Sequence, residues 1–426
     1  MLKRFLRIFR STELRNKILV VLGLLVFFRL LAAVVLPNVN VEALKAFYAN
    51  NQMLGFWSVF SGGSLDKISV AMLGVGPYIT ATIIMQLLTM IFPSLKEMYY
   101  EDGSAGRAKF NRISRLITIP LAVIQTFSYI KLLAAQQVIP KMGLLSPDLW
   151  INIAVATAGT MILLWVGELI DEKKIGNGVS LVIFAGIVAG LPNQIMSAFS
   201  KLSDGALGID VFAVFAVLIV LIVGGVVFIS SGERRIPVTY PKRIRGGRVM
   251  AGVDSYLPIK VTQAGVIPII FAIALLSLPQ MVLAFLSLTS IPGIQAINGA
   301  VKTFMSNQLI YGAIYFVLVF AFTYFYTAVV FDSNEISKNL QHSGGFVPGI
   351  RPGDPTANYL GNITGKTTFF GALFLAVLAI LPIVTQVITK QNFTFGGTTL
   401  LIVVSVALDS MQQIESQLKV SEYESA

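Results

Sequence analysis

Ten long apolar segments constrain what this chain can fold into. Apolar residues make up 55% of the 426 residues and charged residues only 12%, whereas a soluble domain carries roughly 25% charge. The bilayer core holds no water, so a spanning segment must be a helix or part of a closed barrel. The segments have the length of a helix, about 20 residues, rather than the ~10 residues of a barrel strand. We therefore predict an all-α polytopic membrane protein with ten transmembrane helices, at 18–36, 74–92, 113–135, 149–170, 179–199, 209–229, 263–288, 309–331, 367–389 and 396–414.

Basic residues lie mainly on one side of this ten-span arrangement. Of the 32 Lys and Arg residues, 24 fall in the first 17 residues, in the tail after 414 and in the connections 93–115, 171–178, 230–262 and 332–366. The positive-inside rule assigns that side to the cytoplasm. We therefore predict a multi-pass protein of the cytoplasmic membrane with both termini in the cytoplasm.

One short pattern, Gly-x-x-Pro, interrupts two apolar segments at matching places. The copies are Gly74–Pro77 and Gly265–Pro268, and their prolines lie 191 residues apart. Proline starts or kinks a helix, because it lacks a backbone donor and clashes with the preceding turn. Matching breaks in two halves indicate an internal repeat, and an odd number of spans per repeat inverts it. We predict two inverted five-helix halves, residues 1–200 and 201–426.

Most enzyme chemistries lack the residues that they would need. The chain has no cysteine, its single histidine is His342 in a polar loop, and it contains no phosphate-binding loop motif. We therefore predict no enzyme activity, no metal site and no cofactor, and an intramembrane hydrolase has almost no support. A secondary transporter is the alternative that stays open, with a solute site at the broken helices. The spans, however, contain almost none of the carboxylates that usually couple transport to ions.

Three polar regions stand out from the apolar pattern. The piece 56–73 contains Asp66 and Lys67 and is too polar to cross a bilayer alone. The connection 230–262 contains seven basic residues, which fit anionic lipid or a polyanionic partner such as RNA equally well. The connection 332–366 is less charged but rich in Gly and Pro, and long loops of this kind usually have a function.

Branched aliphatic residues recur near the helix breaks. Val75 and Ile79 are four residues apart, as are Val179 and Ile183, so each pair lies on one helix face. Taken alone, such residues are indistinguishable from ordinary core or lipid-facing positions.

Six sequence strings together resemble the SecY family of protein translocon channels. The resemblance covers essentially the whole chain, and the strings are Phe60–Ser64, Gly76–Ile79, Gly176–Ser180, Phe184–Gly190, Ala264–Pro268 and Phe346–Gly353. It implies a central pore between the two halves, through which unfolded polypeptide crosses the membrane of a bacterium. It also implies a lateral gate, through which signal sequences and transmembrane segments leave sideways.

The resemblance also assigns roles to individual residues. It implies a hydrophobic ring at the waist of the pore, formed by Val75, Ile79, Val179, Ile183, Ile270 and Ile402. It implies a plug at about 60–73 that includes Phe60, Ser61, Gly62, Gly63, Leu65, Ile68 and Leu73. Gln86, Gln125 and Thr262 would be polar residues of the lateral gate.

The partners of the family follow from the same resemblance. Arg243 and Arg248 in the first polar connection and Arg351 in the second would contact the ribosome, including its RNA, or the SecA motor ATPase. Small membrane subunits of the SecE and SecG type, signal peptides, nascent chains and membrane lipids complete the implied set. Energy would come from a partner, since this chain offers no nucleotide site.

Overall fold

The computed structural model describes twelve helices and four short strands. The described residues are 12–36, 40, 43–44, 68–100, 102–135, 137–140, 143, 145–203, 209–240, 243–245, 248–250, 254–263, 265–286, 307–389 and 397–424. The helices are α1 (Thr12–Ala33), α2 (Gly76–Ile91), α3 (Pro93–Tyr100), α4 (Gly103–Ala135), α5 (Pro147–Glu172), α6 (Gly178–Ser203), α7 (Ile209–Ser230), α8 (Ile267–Leu286), α9 (Gln308–Val330), α10 (Ser333–His342), α11 (Asp354–Thr389) and α12 (Gly397–Glu424). The strands are β1 (Glu233–Thr239), β2 (Arg243–Arg245), β3 (Arg248–Met250) and β4 (Asp254–Lys260).

A helix occupies most of each of the ten predicted spans, which agrees with the predicted helical membrane fold. Within the described residues, six helices are long and apolar enough to cross a membrane. A seventh is added when α2 and α3, which meet at a bend of 116°, are taken as one span. Several helices extend beyond the predicted spans; α11, for example, begins at Asp354 rather than at 367. Hydropathy detects the part of a helix that fits the bilayer, and not where the helix itself ends.

The chain divides into two compact units. The first consists of Met1–Ile209, Ile273–Ser306 and Val406–Ala426, and the second of Asp210–Ala272 and Asn307–Ser405. The predicted halves, 1–200 and 201–426, describe an internal duplication of the sequence, and they stay a prediction.

In the first unit, helix α5 is the central packing element. It packs against α1, α4 and α6, while α4 also packs against α2 and α3. One apolar core joins α4, α5 and the chain segments beside them. Its buried members are Leu36, Leu44, Ile68, Met72, Leu73, Ala122, Phe127, Tyr129, Ile130, Leu133, Val138, Ile139, Leu149, Ile153 and Ala156.

In the second unit, α9 packs against α11, and the two polar connections fold together. Strands β1 and β4 pair antiparallel from Glu233↔Lys260 to Thr239↔Asp254, and Thr239 also bridges to Phe346 in the other connection. Ile236, Ile259, Val347 and Leu360 form a buried core between β1, β4, the segment 343–353 and α11. We call this assembly, with α10, the loop subdomain.

The strands of the loop subdomain are an addition to the all-helical prediction. Ile236 and Val238 of β1 are buried, whereas Pro237 between them is exposed, which is the two-residue alternation of a strand with one buried face. The basic residues of 230–262 predict a polar connection but no strand.

Candidate functional site: the two helix breaks and the residues around them

The two Gly-x-x-Pro breaks have the same local backbone structure. Gly74 and Gly265 both adopt a left-handed conformation, with φ of 55° and 56°. Each glycine N–H donates to the carbonyl three residues earlier, from Gly74 to Ala71 at 2.8 Å and from Gly265 to Thr262 at 3.3 Å. Glycine adopts a left-handed backbone conformation more readily than any other residue. The two copies of the pattern therefore share one local backbone geometry, and the internal repeat stays a prediction.

Each break is followed by a helix whose first turn carries predicted ring residues. In the first unit, the Ile79 N–H donates to the Val75 carbonyl at 3.1 Å. In the second, the Ile270 N–H donates to the Val266 carbonyl at 3.3 Å. Val75, Ile79 and Ile270 are all buried. Each break therefore determines where its helix starts, and with it the position of these aliphatic side chains.

Helix α6, which carries Val179 and Ile183, is fixed to the end of α5. The Asp171 carboxylate accepts a hydrogen bond from the Gly178 N–H at 2.7 Å, and the Asn177 side chain accepts one from the Ser180 N–H at 3.0 Å. Both bonds satisfy amide groups that the first turn of a helix leaves unpaired. Ile183 is buried and Val179 is half-buried.

A pair of glycines brings α5 and α6 into close contact. A Cβ atom on Gly178 would overlap the carbonyl group of Gly167, and one on Gly167 would touch the Val179 side chain at 3.6 Å. In addition, the Gln417 side chain of α12 donates hydrogen bonds to the carbonyls of Lys173 and Lys174. The turn that starts α6 is thus held by α5 and α12 together.

The sixth predicted ring residue, Ile402, is buried in α12. Val75, Ile79, Val179 and Ile183 lie in the first unit, whereas Ile270 and Ile402 lie in the second. All six are buried or half-buried, and all lie in helices except Val75, which immediately precedes α2. Their assembly into one ring stays a prediction.

Only part of the predicted plug lies in the described residues. Phe60, Ser61, Gly62, Gly63 and Leu65 lie outside them. Ile68 and Leu73 are fully buried, at 0% and 2% exposure, and belong to the core of the first unit.

Two of the predicted gate residues lie on α2 and α4, two helices that pack together. Both Gln86 and Gln125 are buried, and the Gln125 amide donates to the Thr80 hydroxyl at 3.4 Å. The side-chain carbonyl oxygens of both glutamines have no hydrogen-bond partner in the described part of the chain. Thr262 is half-buried in the turn before the second break. The sequence does not predict the contact of Thr80 with Gln125, because a threonine in an apolar helix usually bonds to its own backbone.

A charged pair between α4 and α5 was also missed. Arg115 and Glu168 form an ion pair at 2.5 Å. The sequence gives no partner for either residue. Partners on separate helices have no fixed spacing in sequence, so no pattern predicts them.

The predicted partner-binding arginines all lie in the second unit. Arg243 and Arg248 belong to β2 and β3, which pair antiparallel with Arg245 opposite Arg248. Arg351 is exposed, and its carbonyl accepts a hydrogen bond from the Thr356 hydroxyl at 2.7 Å. This bond ties the Arg351 backbone to the first turn of α11.

A further arginine on β1 has a fixed geometry. The Arg235 guanidinium lies 4.9 Å from the centre of the Tyr256 ring and 2.6 Å from the Glu233 carboxylate. The hydrogen bond to Glu233 raises the pKa of Arg235. In the sequence, Arg235 is one of the seven basic residues of 230–262, and no role is predicted for it.

The single histidine and the acidic residues are the side chains that a metal site would draw on. His342 is exposed at the last residue of α10. Among the residues that the structure describes, no three His, Cys, Asp or Glu side chains are grouped so as to hold a metal ion.

These features define a polytopic helical membrane protein with two glycine-broken helices, aliphatic residues at the breaks and a polar loop subdomain. A family model, SecY, matches residues 69–411. Among curated proteins, the chain is 41% identical to "Protein translocase subunit SecY" of Aquifex aeolicus, covering 98% of this chain and 97% of that protein. It is 40% identical to the protein of the same name from Thermotoga maritima, covering 100% and 97%. The chain belongs to the SecY family.

Solved structures show the same fold. The structure described as "The structure of a protein conducting channel" matches with a TM-score of 0.65 at 20% identity, covering 96% of this chain and 93% of that one. "Sec61 in the Canine ribosome-channel complex from the endoplasmic reticulum" matches with a TM-score of 0.64 at 20% identity, covering 96% and 93%.

Proposed function

We propose that this chain is the protein-conducting channel subunit of a bacterial protein translocase. The observation that carries the proposal is the 41% identity to a protein translocase subunit across 98% of the chain. The chemistry of the breaks agrees with it. Aliphatic walls offer no fixed hydrogen bonds that would trap a passing polypeptide, and a narrow hydrophobic constriction excludes ions by dewetting.

The parts of the channel follow the family assignment. Val75, Ile79, Val179, Ile183, Ile270 and Ile402 form the waist ring, between halves 1–200 and 201–426. Residues 60–73 form the plug below it. Gln86, Gln125 and Thr262 line the lateral gate. There, a departing signal sequence supplies hydrogen-bond donors to the side-chain oxygens of the two glutamines, which have no partner in the described part of the chain.

The chain acts in the cytoplasmic membrane, with both termini in the cytoplasm, and works with partners rather than as an enzyme. The loop subdomain faces the cytoplasm, and its Arg243, Arg248 and Arg351 bind the ribosome or the SecA motor, which supplies the energy. SecE- and SecG-type subunits bind the membrane helices. The positive-inside charge distribution supports the orientation, and the exposure of Arg351 supports its role in docking.

Crosslinking tests the path of the polypeptide. The natural chain has no cysteine, so single cysteines can be placed at Ile79, Ile183 and Ile402 without other changes. A secretory polypeptide stalled in transit, with one cysteine of its own, is expected to form a disulfide with each of them. Val220→Cys is the control, since Val220 is 70% exposed on the apolar helix α7. Crosslinks to Val220→Cys alone would contradict the pore assignment.

Charge reversal tests the docking surface. Arg351→Glu, alone or with Arg243→Glu, is expected to remove most partner-driven translocation while the membrane helices stay folded. The reason is that an arginine attracts the anionic groups of the partner, whereas a glutamate repels them. Lys338→Glu is the matched control, since Lys338 is exposed on the neighbouring helix α10 and undergoes the same change in charge. Binding of SecA or ribosomes to reconstituted vesicles measures the effect. Equal binding by the Arg351→Glu and Lys338→Glu variants would contradict the assignment.

A further inference from the structure

The C-terminal part of the proposed plug region is held in place on two sides. Residues Ile68–Val70, which we call the anchor strand, pair with the segment Val34–Leu36 that follows α1. Val35 and Ser69 form an antiparallel bridge. The Leu36 N–H donates to the Ile68 carbonyl and the Val70 N–H donates to the Val34 carbonyl, both at 2.9 Å.

Helix α5 closes the other side of the anchor strand. A Cβ atom on Gly159 would overlap the carbonyl group of Val70 and would lie 3.0 Å from its side chain. The backbone of the anchor strand therefore rests directly on α5, at a position where only glycine leaves enough room. Ile68 and Ser69 are both fully buried, at 0% exposure.

A short series of turns connects the anchor strand to α2. The Met72 N–H donates to the Ser69 carbonyl at 2.9 Å, the Gly74 N–H to Ala71 at 2.8 Å and the Gly76 N–H to Leu73 at 3.1 Å. Val75, a predicted ring residue, lies within this series. A displacement of the anchor strand would thus reach the first turn of α2.

We propose that the anchor strand is a fixed mount that stays paired with Val34–Leu36 during transport, and that Gly159 is the positioning residue on which it rests. The inference builds on the proposed channel function and on the assignment of residues 60–73 to the plug. Within that region, the anchor strand is the part that does not move, and its contact with Gly159 of α5 keeps the resting channel closed.

A disulfide tests whether the mount stays fixed. The two hydrogen bonds flank Val35 and Ser69, so these residues form a non-hydrogen-bonded pair, with Cα atoms typically about 4.5 Å apart. That separation lies at the short end of the range that a disulfide spans. The Val35→Cys/Ser69→Cys channel, reconstituted with its partners, is expected to translocate at the same rate before and after oxidation. A block on oxidation that a reductant reverses would overturn the proposal.

Substitution of Gly159 tests the contact with α5. Gly159→Ala is expected to raise the ion leak of the resting channel, because the anchor strand must move away from α5. If a leaking state populated at about 1% rises to about 10%, the leak increases roughly tenfold. Gly23→Ala is the control, since a Cβ atom on Gly23 of α1 has nothing within 4 Å.

Combining the two changes separates positioning from general damage. In the Gly159→Ala background, the oxidised Val35→Cys/Ser69→Cys pair is expected to reduce the leak, and a reductant to restore it. A Gly159→Ala channel that is as tight as the wild type would overturn the role of Gly159. Failure of the wild-type chain to translocate in the same vesicles would instead refute the channel function.

Discussion

Replacing Gly178 with alanine is expected to abolish most translocation, although the change adds a single methyl group. A Cβ atom at this position overlaps the Gly167 carbonyl group. The start of α6 cannot easily withdraw, because Asp171 and Asn177 hold its first amide groups and Gln417 holds the preceding turn. Overpacking of a close contact costs about 1–3 kcal/mol. The shift would move Val179 and Ile183 together, since both lie on the first turns of α6.

The matched control for Gly178→Ala is Gly76→Ala. Gly76 is also the first residue of a helix that carries predicted ring residues, yet a Cβ atom there has nothing within 4 Å. We expect the Gly76→Ala channel to translocate normally and the Gly178→Ala channel to lose activity and leak ions. Translocation of a secretory polypeptide into vesicles and the resting ion conductance measure the two effects. Equal activity of both variants would show that the α5–α6 contact does not position the ring.

The sequence predicted the positions of the membrane helices well because the bilayer imposes a simple rule. A helix occupies most of every predicted span, and the two Gly-x-x-Pro breaks have nearly identical φ angles at Gly74 and Gly265. Proline and left-handed glycine act through their own backbone, so a local pattern is enough to detect them.

The contacts that position the site could not be predicted in the same way. Gly159 and Gly167 look like ordinary small residues of an apolar helix, and only the fold shows that the Val70 and Gly178 backbones rest on them. The Arg115–Glu168 pair joins two helices with no fixed spacing in sequence. Helix α11 begins before its apolar part because Leu360 packs into the loop subdomain, which hydropathy does not register.

The loop subdomain makes the two polar connections depend on each other. Leu360 is fully buried, at 0% exposure, together with Ile236 and Ile259 of the first connection and Val347 of the second. The segment Phe346–Gly353, which presents Arg351, is therefore supported by residues 88 and 111 positions before Val347 in the chain. A damaged core should disturb the proposed docking surface even when every basic residue is intact.

Leu360→Asp is accordingly expected to remove partner-driven translocation without changing any predicted contact residue. Placing an unpaired carboxylate in this small core costs several kcal/mol, roughly 3 or more, unless the core opens to water. Asn358→Asp adds the same charge at an exposed position of the same helix and should be harmless. Partner binding and limited proteolysis of the segment 343–353 measure the outcome.

The comparison with Arg351→Glu distinguishes a lost contact from a lost fold. The Arg351→Glu channel should lose partner binding while its loop subdomain still resists protease, whereas the Leu360→Asp channel should lose both. A Leu360→Asp channel that binds its partner normally would mean that each connection docks independently. In that case the shared core would serve stability alone, and the pairing of Thr239 with Phe346 would have no role in presenting Arg351.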